Sequence, residues 1–524
     1  MESANRTIRL GQSVAVLDDL DGDGIAELLV GSPGVNASGT SQDGAAFLYS
    51  GGTGLLLQRL LGRRAFDGFG WVVINAGDLN ADGIGDFLIA SPDAEHPGGL
   101  QRSGAIYAYS GATLKTLFTI RGRRSLGRLG ASLAAIGDIN GDGYDDFLAG
   151  EPGMGYGDDG GAFVYSGATG LVIRTFLPTS ARAQTGFDVA SAGDIDADGV
   201  ADYMVGSRHH YDPSAGPLSG LVQVYSGATG ALLLQLDGNQ TFHTAGSEIS
   251  GAGDVNADGF DDILLGFPHR ANGQLLISGE FLVLSGVDGS VIHHVLGERS
   301  LAELGSEVGP AGDVNEDGHD DFLVSAEGMR SVFLYCGKTG DALTRFQSEE
   351  ADSLFGVSMA AAGDLDGDGH FDFLIGAPEG RAWSCTAYVM SFHPLMKTSA
   401  TSMSAFSGGS IQLDLDFPRA AAQMEYQVLF SPKRGPMFRG VGIPLGDGKM
   451  VRDSKRGIYH FGTDTNMMGT LDNLGDATAT MSFAPGEIPT RLIGHTLYAA
   501  AVAATSLDGD VTYSSIAVPL TITP

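Results

Sequence analysis

The chain has 524 residues, 80 of them glycine, and 63 Asp and Glu against 30 Lys and Arg, a formal charge of −33. That length exceeds one ordinary hydrophobic core, so several domains or a repeat array are expected; 43% apolar and only 18% charged residues exclude a disordered polyanion, and the net charge disfavours nucleic acid or an anionic membrane as partner of the whole molecule. No stretch approaches the roughly 18 apolar residues of a membrane span, and two cysteines, Cys336 and Cys385, exclude a disulfide framework and a four-cysteine zinc site.

The first ten residues, MESANRTIRL, lack the basic and apolar regions of a secretory leader, which leaves open a cytoplasmic chain or one whose leader has been removed. From Asp19 onward the pattern D-x-[DN]-x-D-G-x-x-[DE] recurs seven times, starting at Asp19, Asp78, Asp138, Asp194, Asp254, Asp313 and Asp364, in steps of 59, 60, 56, 60, 59 and 51 residues. A near-constant phase of this kind marks a structural repeat. Ahead of each loop lies a run of small residues such as VVINAG or SMAAAG, and behind it an apolar run such as DFLIASP or DILLGFP. A variable Gly-rich segment follows, then a strand ending in YSG or a variant, then in most copies a fourth run such as LLLQRL or LVIRTF. Short Val-, Leu-, Phe- and Tyr-rich runs bounded by glycine read as strands, and no helical period occurs. The predicted fold is therefore all-β: seven four-stranded antiparallel blades forming a β-propeller over residues 1–392. Small residues in the first run suit the crowded axis. The seventh copy ends at TAYVMSF, residues 386–392, without a fourth strand, so residues Arg6 to Leu10 are expected to complete the last blade and close the ring.

Each unit orders an FG-like dipeptide (Phe69-Gly70, Phe355-Gly356, with Leu129-Gly130 and Leu10-Gly11 as variants), the acidic loop, and a GAP-like tripeptide (GSP at 31–33, GEP at 150–152, GAP at 376–378). This order resembles FG-GAP repeats, which build the seven-bladed head of integrin α subunits and occur in many bacterial secreted proteins. The resemblance covers residues 1–392 and departs in two respects: all seven blades carry the loop, whereas only some integrin blades do, and blade six has SAE at 325–327 in place of the tripeptide.

Alternating oxygens at positions 1, 3 and 5, a sharp reversal at the position-6 glycine and a closing carboxylate at position 9 suit a hard cation that takes six to eight oxygens at about 2.3–2.6 Å, and that cation is calcium. Transition metals would call for His or Cys side chains, which these positions do not offer. The predicted ligands are Asp19, Asp21, Asp23, the Ile25 carbonyl and Glu27 in the first loop, and Asp78, Asn80, Asp82, Ile84 and Asp86 in the second. Loops three and four supply Asp138, Asn140, Asp142, Tyr144 and Asp146, then Asp194, Asp196, Asp198, Val200 and Asp202. Loops five, six and seven supply Asp254, Asn256, Asp258, Phe260 and Asp262; Asp313, Asn315, Asp317, His319 and Asp321; and Asp364, Asp366, Asp368, His370 and Asp372. Position 7 contributes its backbone carbonyl throughout. Up to seven Ca²⁺ ions, one per blade, would bring the formal charge from −33 to −19. Such ions are expected to staple the blades rather than to catalyse.

With the acidic loops between strands 1 and 2, the variable 2–3 and 4–1 connections fall on the other face. Resemblance to integrins implies that ligands bind there, and loops on a rigid scaffold commonly carry recognition. Arg63, Arg64, Arg121, Arg123, Arg124, Arg208, His209 and His210 are the candidate ligand-binding residues, suited to a carboxylate-bearing protein loop or an acidic polysaccharide. His209-His210-Tyr211-Asp212 could instead serve a polysaccharide lyase-like enzyme, and a structural envelope component is a third reading; no G-x-S-x-G, H-E-x-x-H or phosphate loop is present. Cys336 and Cys385 are expected on opposite faces as free thiols. Residues 393–524 alternate in SIQLDLDF, EYQVLFS, ATATMSFA and TLYAAAVAAT and predict a small, loosely immunoglobulin-like β-sandwich, with SLDGD at Asp508 to Asp510 as a hairpin turn. The expected function is that of a secreted or cell-surface calcium-binding adhesion module with no membrane insertion; the sequence leaves the oligomeric state open.

Overall fold

Short apolar runs with glycine at both ends can bury both faces only by stacking sheet on sheet, and the chain does so seven times. The computed structural model describes residues 9–35, 43–62, 64, 66–153, 159–216, 218–238, 244–348, 354–367, 369–378 and 386–392, and beyond these only strands between 396 and 523. Two compact units result, Met1–Ser391 and Phe392–Pro524.

The first unit is a seven-bladed β-propeller. Blade one consists of Val14–Val16, Leu28–Ser32, Ala45–Tyr49 and Leu56–Leu61, paired antiparallel in chain order, and the next five blades repeat this arrangement. Burial grades outward along each blade. Second strands such as Asp86–Ser91, Asp262–Phe267 and Asp321–Ala326 are buried at every position, whereas the fourth strand of blade one is exposed at all positions but Leu60. The DF and YSG signatures meet in this layer. Phe147 pairs in register with Tyr165, their rings stacked at 5.4 Å, and Phe322 with Tyr335 at 5.6 Å.

The FG and GAP signatures meet between blades. Phe69 and Phe355 are buried to 2% and 1% exposure, and Gly70 lets the backbone after Phe69 lie against Gly31 of the preceding blade's GAP-like tripeptide. A Cβ on Gly31 would stand 2.2 Å from the Gly70 carbonyl oxygen, so the close approach requires glycine. The same contact closes the ring, because Gly376 of blade seven abuts the Gly11 carbonyl of blade one, to which Ser358 Oγ also donates at 3.1 Å. In blade six Ser325 replaces this glycine and faces Gly356.

Among the described residues blade seven has three strands, Met359–Gly363, Phe371–Ala377 and Thr386–Phe392. Of the segment expected to supply a fourth, residues 6–8 lie outside the described residues. Arg9 and Leu10 are not in a strand; Arg9 has φ +52°, which breaks an extended run. Cys336 is a free, buried thiol, and Cys385 lies outside the described residues.

The second unit is also all-β. Met396–Thr398, Gly409–Asp416, Asp476–Phe483 and Thr463–Thr465 form one sheet, and Ser402–Ser404, Val518–Thr523, Thr496–Ala504, Glu425–Ser431 and Met468–Thr470 a second, with Tyr513–Ser514 pairing onto it. The SLDGD turn lies outside the described residues.

Candidate metal centres and the opposite face

Every acidic loop joins the first strand of its blade to the second, so all seven emerge at one end of the propeller. One set of hydrogen bonds builds them. Asp19 accepts the N–H groups of Gly22, Asp23 and Gly24 at 2.7, 3.1 and 2.8 Å, and Asp138 those of Gly141, Asp142 and Gly143 at 2.7, 3.1 and 2.8 Å. Asp78, Asp194, Asp254, Asp313 and Asp364 likewise accept the N–H of their position-6 glycine. That glycine has φ between +82° and +90° in all seven loops. The position-5 residues Asp23, Asp82, Asp142, Asp198 and Asp258 accept the position-7 N–H of Ile25, Ile84, Tyr144, Val200 and Phe260. Repeated Asx turns thus fold the carboxylates into a nest.

The nests are of two kinds, set by position 3. Where it is aspartate, carboxylate oxygens converge within 4.8 Å of one another: Asp19, Asp21, Asp23 and Glu27; Asp194, Asp196 and Asp198; and Asp364, Asp366 and Asp372. Asp368 lies outside the described residues. Where it is asparagine, the amide bridges to the closing carboxylate. Asn80 Nδ2 donates to both oxygens of Asp86 at 3.0 and 2.9 Å, Asn140 to Asp146 at 3.2 and 2.9 Å, and Asn315 to Asp321 at 3.1 and 2.9 Å. Asn256 reaches Asp262 at 3.5 Å. A half-turn about χ2 of these asparagines exchanges Nδ2 for a ligating Oδ1.

Calcium fits this donor set. Buried oxygens without a hydrogen-bond partner include Glu27 Oε1, Asn256 Oδ1 and Asp317 Oδ1, which occupy ligand positions 9, 3 and 5 of three different loops. Buried oxygens are ordinarily paired, so orphans at these positions point to a missing cation partner. Burial also strains the charged closing groups, all nearly inaccessible. It pushes Asp86, Asp146, Asp202 and Asp262 up to about 6, with neighbouring loop carboxylates adding to the rise against backbone N–H bonds. Asp321 is pushed up to about 8, again by burial first and then by Asp317 and Asp313. Glu27 is raised by burial and by Asp21, Asp19 and Asp23. A divalent ion would reverse each of these effects.

At the other end, the predicted ligand-binding residues separate. Arg64, Arg123 and Arg124 are exposed and Arg121 is partly so, while Arg63 lies outside the described residues. Arg64 and Arg121 flank the buried Asp67, whose carboxyl is raised to about 6 because burial outweighs a backbone hydrogen bond at Glu95 and the two guanidinium groups. Arg208 is not a free surface cation. Its guanidinium lies 4.2 Å from the Phe187 ring centroid, and burial lowers the neighbouring His209. His210 Nδ1 is 3.2 and 3.0 Å from the Thr179 and Ser180 hydroxyls, and Asp212 caps its own turn through Ser214. The described bonds thus send these side chains to separate partners. In the connections between strands at this end, Phe66, Tyr211, Leu276 and Leu301 are 67%, 51%, 66% and 59% exposed.

Two features escaped the sequence reading. The first strands enclose a cavity of ≈ 880 Å³ on the propeller axis, into which Asp188, Glu248 and Glu307 of blades four to six project. Burial raises all three, Asp188 to about 6 and the two glutamates well above their ordinary value, with neighbouring acids adding to the rise. Each stands two residues after the inner-strand glycine (Gly186, Gly246, Gly305), a signal in register once the repeat is aligned. The second is a row of aspartates beside the ligands, at Asp18, Asp145, Asp261 and Asp320.

Fold and site together define a propeller with an acidic hairpin nest in every blade. Residues 10–49 match a model of the FG-GAP repeat and residues 313–375 one of the FG-GAP-like repeat; the propeller thus carries FG-GAP repeats and is similar to those of integrin α subunits. The chain is 30% identical over 211 residues to integrin alpha-5 of Xenopus laevis, covering 38% of this chain and 20% of the relative. It is 28% identical over 219 residues to integrin alpha-V of Gallus gallus (40% and 21%), and 32% over 170 residues to integrin alpha-E of Mus musculus (29% and 14%). The matches thus span about a fifth or less of these relatives' length. No helix among the described residues is long and apolar enough to cross a membrane.

Proposed function

We propose that this protein is an extracellular or cell-surface adhesion module that uses calcium in its blade loops to hold a rigid ring and binds a protein through the opposite face. The observation that carries the calcium reading is the set of orphaned ligand-position oxygens, Glu27 Oε1, Asn256 Oδ1 and Asp317 Oδ1, inside the repeated nests. In each loop positions 1, 3, 5 and 9 would supply side-chain oxygens and position 7 its carbonyl. The bound ion would supply charge neutralisation that holds the first two strands of the blade together.

Exposed Phe66 and Tyr211, with Arg64, Arg121, Arg123 and Arg124 on the same end, favour a partner with carboxylates beside apolar side chains. Similarity to integrin α subunits supports a protein partner over a glycan. A binding screen of acidic protein and acidic polysaccharide ligands, run with calcium and with chelator, tests the proposal. Calcium-dependent protein binding that falls about tenfold or more in Arg121→Ser/Arg123→Ser is expected. Binding indifferent to both chelator and these substitutions would refute it.

A further inference from the structure

A second set of carboxylates ties neighbouring loops together. Asp145, at position 8 of loop three, accepts the N–H of Asp78, the first ligand of loop two, at 2.7 Å, and its own N–H donates to the Asp78 carbonyl at 3.1 Å. Asp261 of loop five clamps Asp194 of loop four in the same two-point way, at 2.8 and 3.5 Å. Asp320 of loop six clamps Asp254 of loop five, at 2.9 and 3.1 Å.

Space for each clamp is left by a glycine. A Cβ on Gly77 would stand 2.0 Å from Asp145 Oδ2, one on Gly193 2.0 Å from Asp261 Oδ2, and one on Gly253 2.2 Å from Asp320 Oδ2. Between loops one and two the roles are exchanged. Asp18 stands where the other blades have this glycine, and Gly85 stands at position 8; the Gly85 N–H donates to Asp18 Oδ2 at 3.0 Å, and a Cβ there would stand 2.4 Å from it. At the three remaining boundaries position 8 is Ala201, Phe371 or Ala26. There the corresponding Gly137, Gly312 and Gly363 would meet nothing within 4 Å. Every clamping acid therefore faces a glycine, whereas the glycines at these three boundaries face no acid.

Position 8 lies between two predicted ligands, the position-7 carbonyl and the position-9 carboxylate. Closing either onto an ion moves the clamp, and the clamp holds the first ligand of the preceding loop. Resting on the reading that the loops hold calcium, we propose that Asp18, Asp145, Asp261 and Asp320 are positioning residues that couple ion binding between adjacent blades, making loops one to three and four to six two cooperative groups and leaving loop seven independent.

Native mass spectrometry of the full chain across a calcium titration tests this, because it counts ions molecule by molecule. The expected wild-type distribution is depleted in species with two and five ions relative to the binomial prediction, because each group fills as three and loop seven adds one. Gly77→Ala, which drives a methyl into Asp145, is expected to fill in the two- and five-ion species and weaken binding at loops two and three about fivefold or more. Gly137→Ala imposes the same left-handed strain, at φ +66° against +70°, with no carboxylate to strike, and is expected to leave the distribution as in the wild type. A binomial wild-type distribution, or equal effects of the two substitutions, would overturn the coupling while leaving calcium binding in place. A chain that takes up no calcium at any concentration would overturn the calcium reading and the coupling with it.

Discussion

Asp321 is the residue at which proton and cation compete most directly. Burial holds its pKa at about 8, and those of Asp86, Asp146, Asp202 and Asp262 at about 6, against an ordinary value of 3.8. In the calcium-free protein the folded state therefore binds more protons than the unfolded chain between these limits. Stability from this source is fully present below about pH 4 and is lost as pH rises through 6 and on to 8. Asp188, Glu248 and Glu307 on the axis act in the same direction. With EDTA present, the melting temperature should fall between pH 5 and pH 8; with millimolar calcium the fall should shrink or reverse, since the ionised carboxylates then bind the metal. An EDTA melting temperature that rises over this range would contradict the assignment. At the ligands themselves, Asp138→Ala removes one carboxylate together with the acceptor for three backbone N–H groups. Calcium titration of this variant should show one fewer tight site.

Within the blade, the strand register sets energetics. Phe147 is fully buried and stacks on Tyr165 at 5.4 Å and on Phe118 at 6.4 Å. Phe147→Ala should cost about 3–5 kcal/mol in chemical denaturation, with calcium stoichiometry retained in the folded fraction. The position-1 to position-9 grammar and the DF and YSG runs were legible because each repeats at fixed offsets within one blade. The clamp residues were not, although the dipeptides Asp145-Asp146, Asp261-Asp262 and Asp320-Asp321 are plain in the sequence. Their partners lie in the preceding blade, 66 or 67 residues away, and the meaning of the first aspartate of each pair depends on a glycine there. The setting of Arg208 was not legible for a related reason. This side chain lies over the ring of Phe187 in the same blade's inner strand, which leaves it half-buried.

On the scale of the molecule, ring closure depends on contacts between chain segments far apart in sequence. Gly376 in the last blade meets the Gly11 carbonyl and Ser358 Oγ, and Val14, Val30, Leu365 and Leu374 form a shared core at the same boundary. Gly376→Ala would place a methyl 2.1 Å from the Gly11 oxygen. It should destabilise the propeller by about 1–3 kcal/mol or more, seen in thermal and denaturant unfolding. An unchanged midpoint would mean that blades one and seven are not held together in this way. Closure also bears on the ions, since each is expected to pin the two inner strands against the axis, where the acids at Asp188, Glu248 and Glu307 already crowd one side. The central claim, that the seven nests hold calcium and that calcium holds the ring, is tested most directly by measuring metal content and melting temperature on one preparation, before and after chelation. The account predicts several calcium ions per chain, up to seven, and a marked drop in melting temperature in excess EDTA that added calcium restores. Folded protein with no bound calcium and the same melting temperature in EDTA would contradict it.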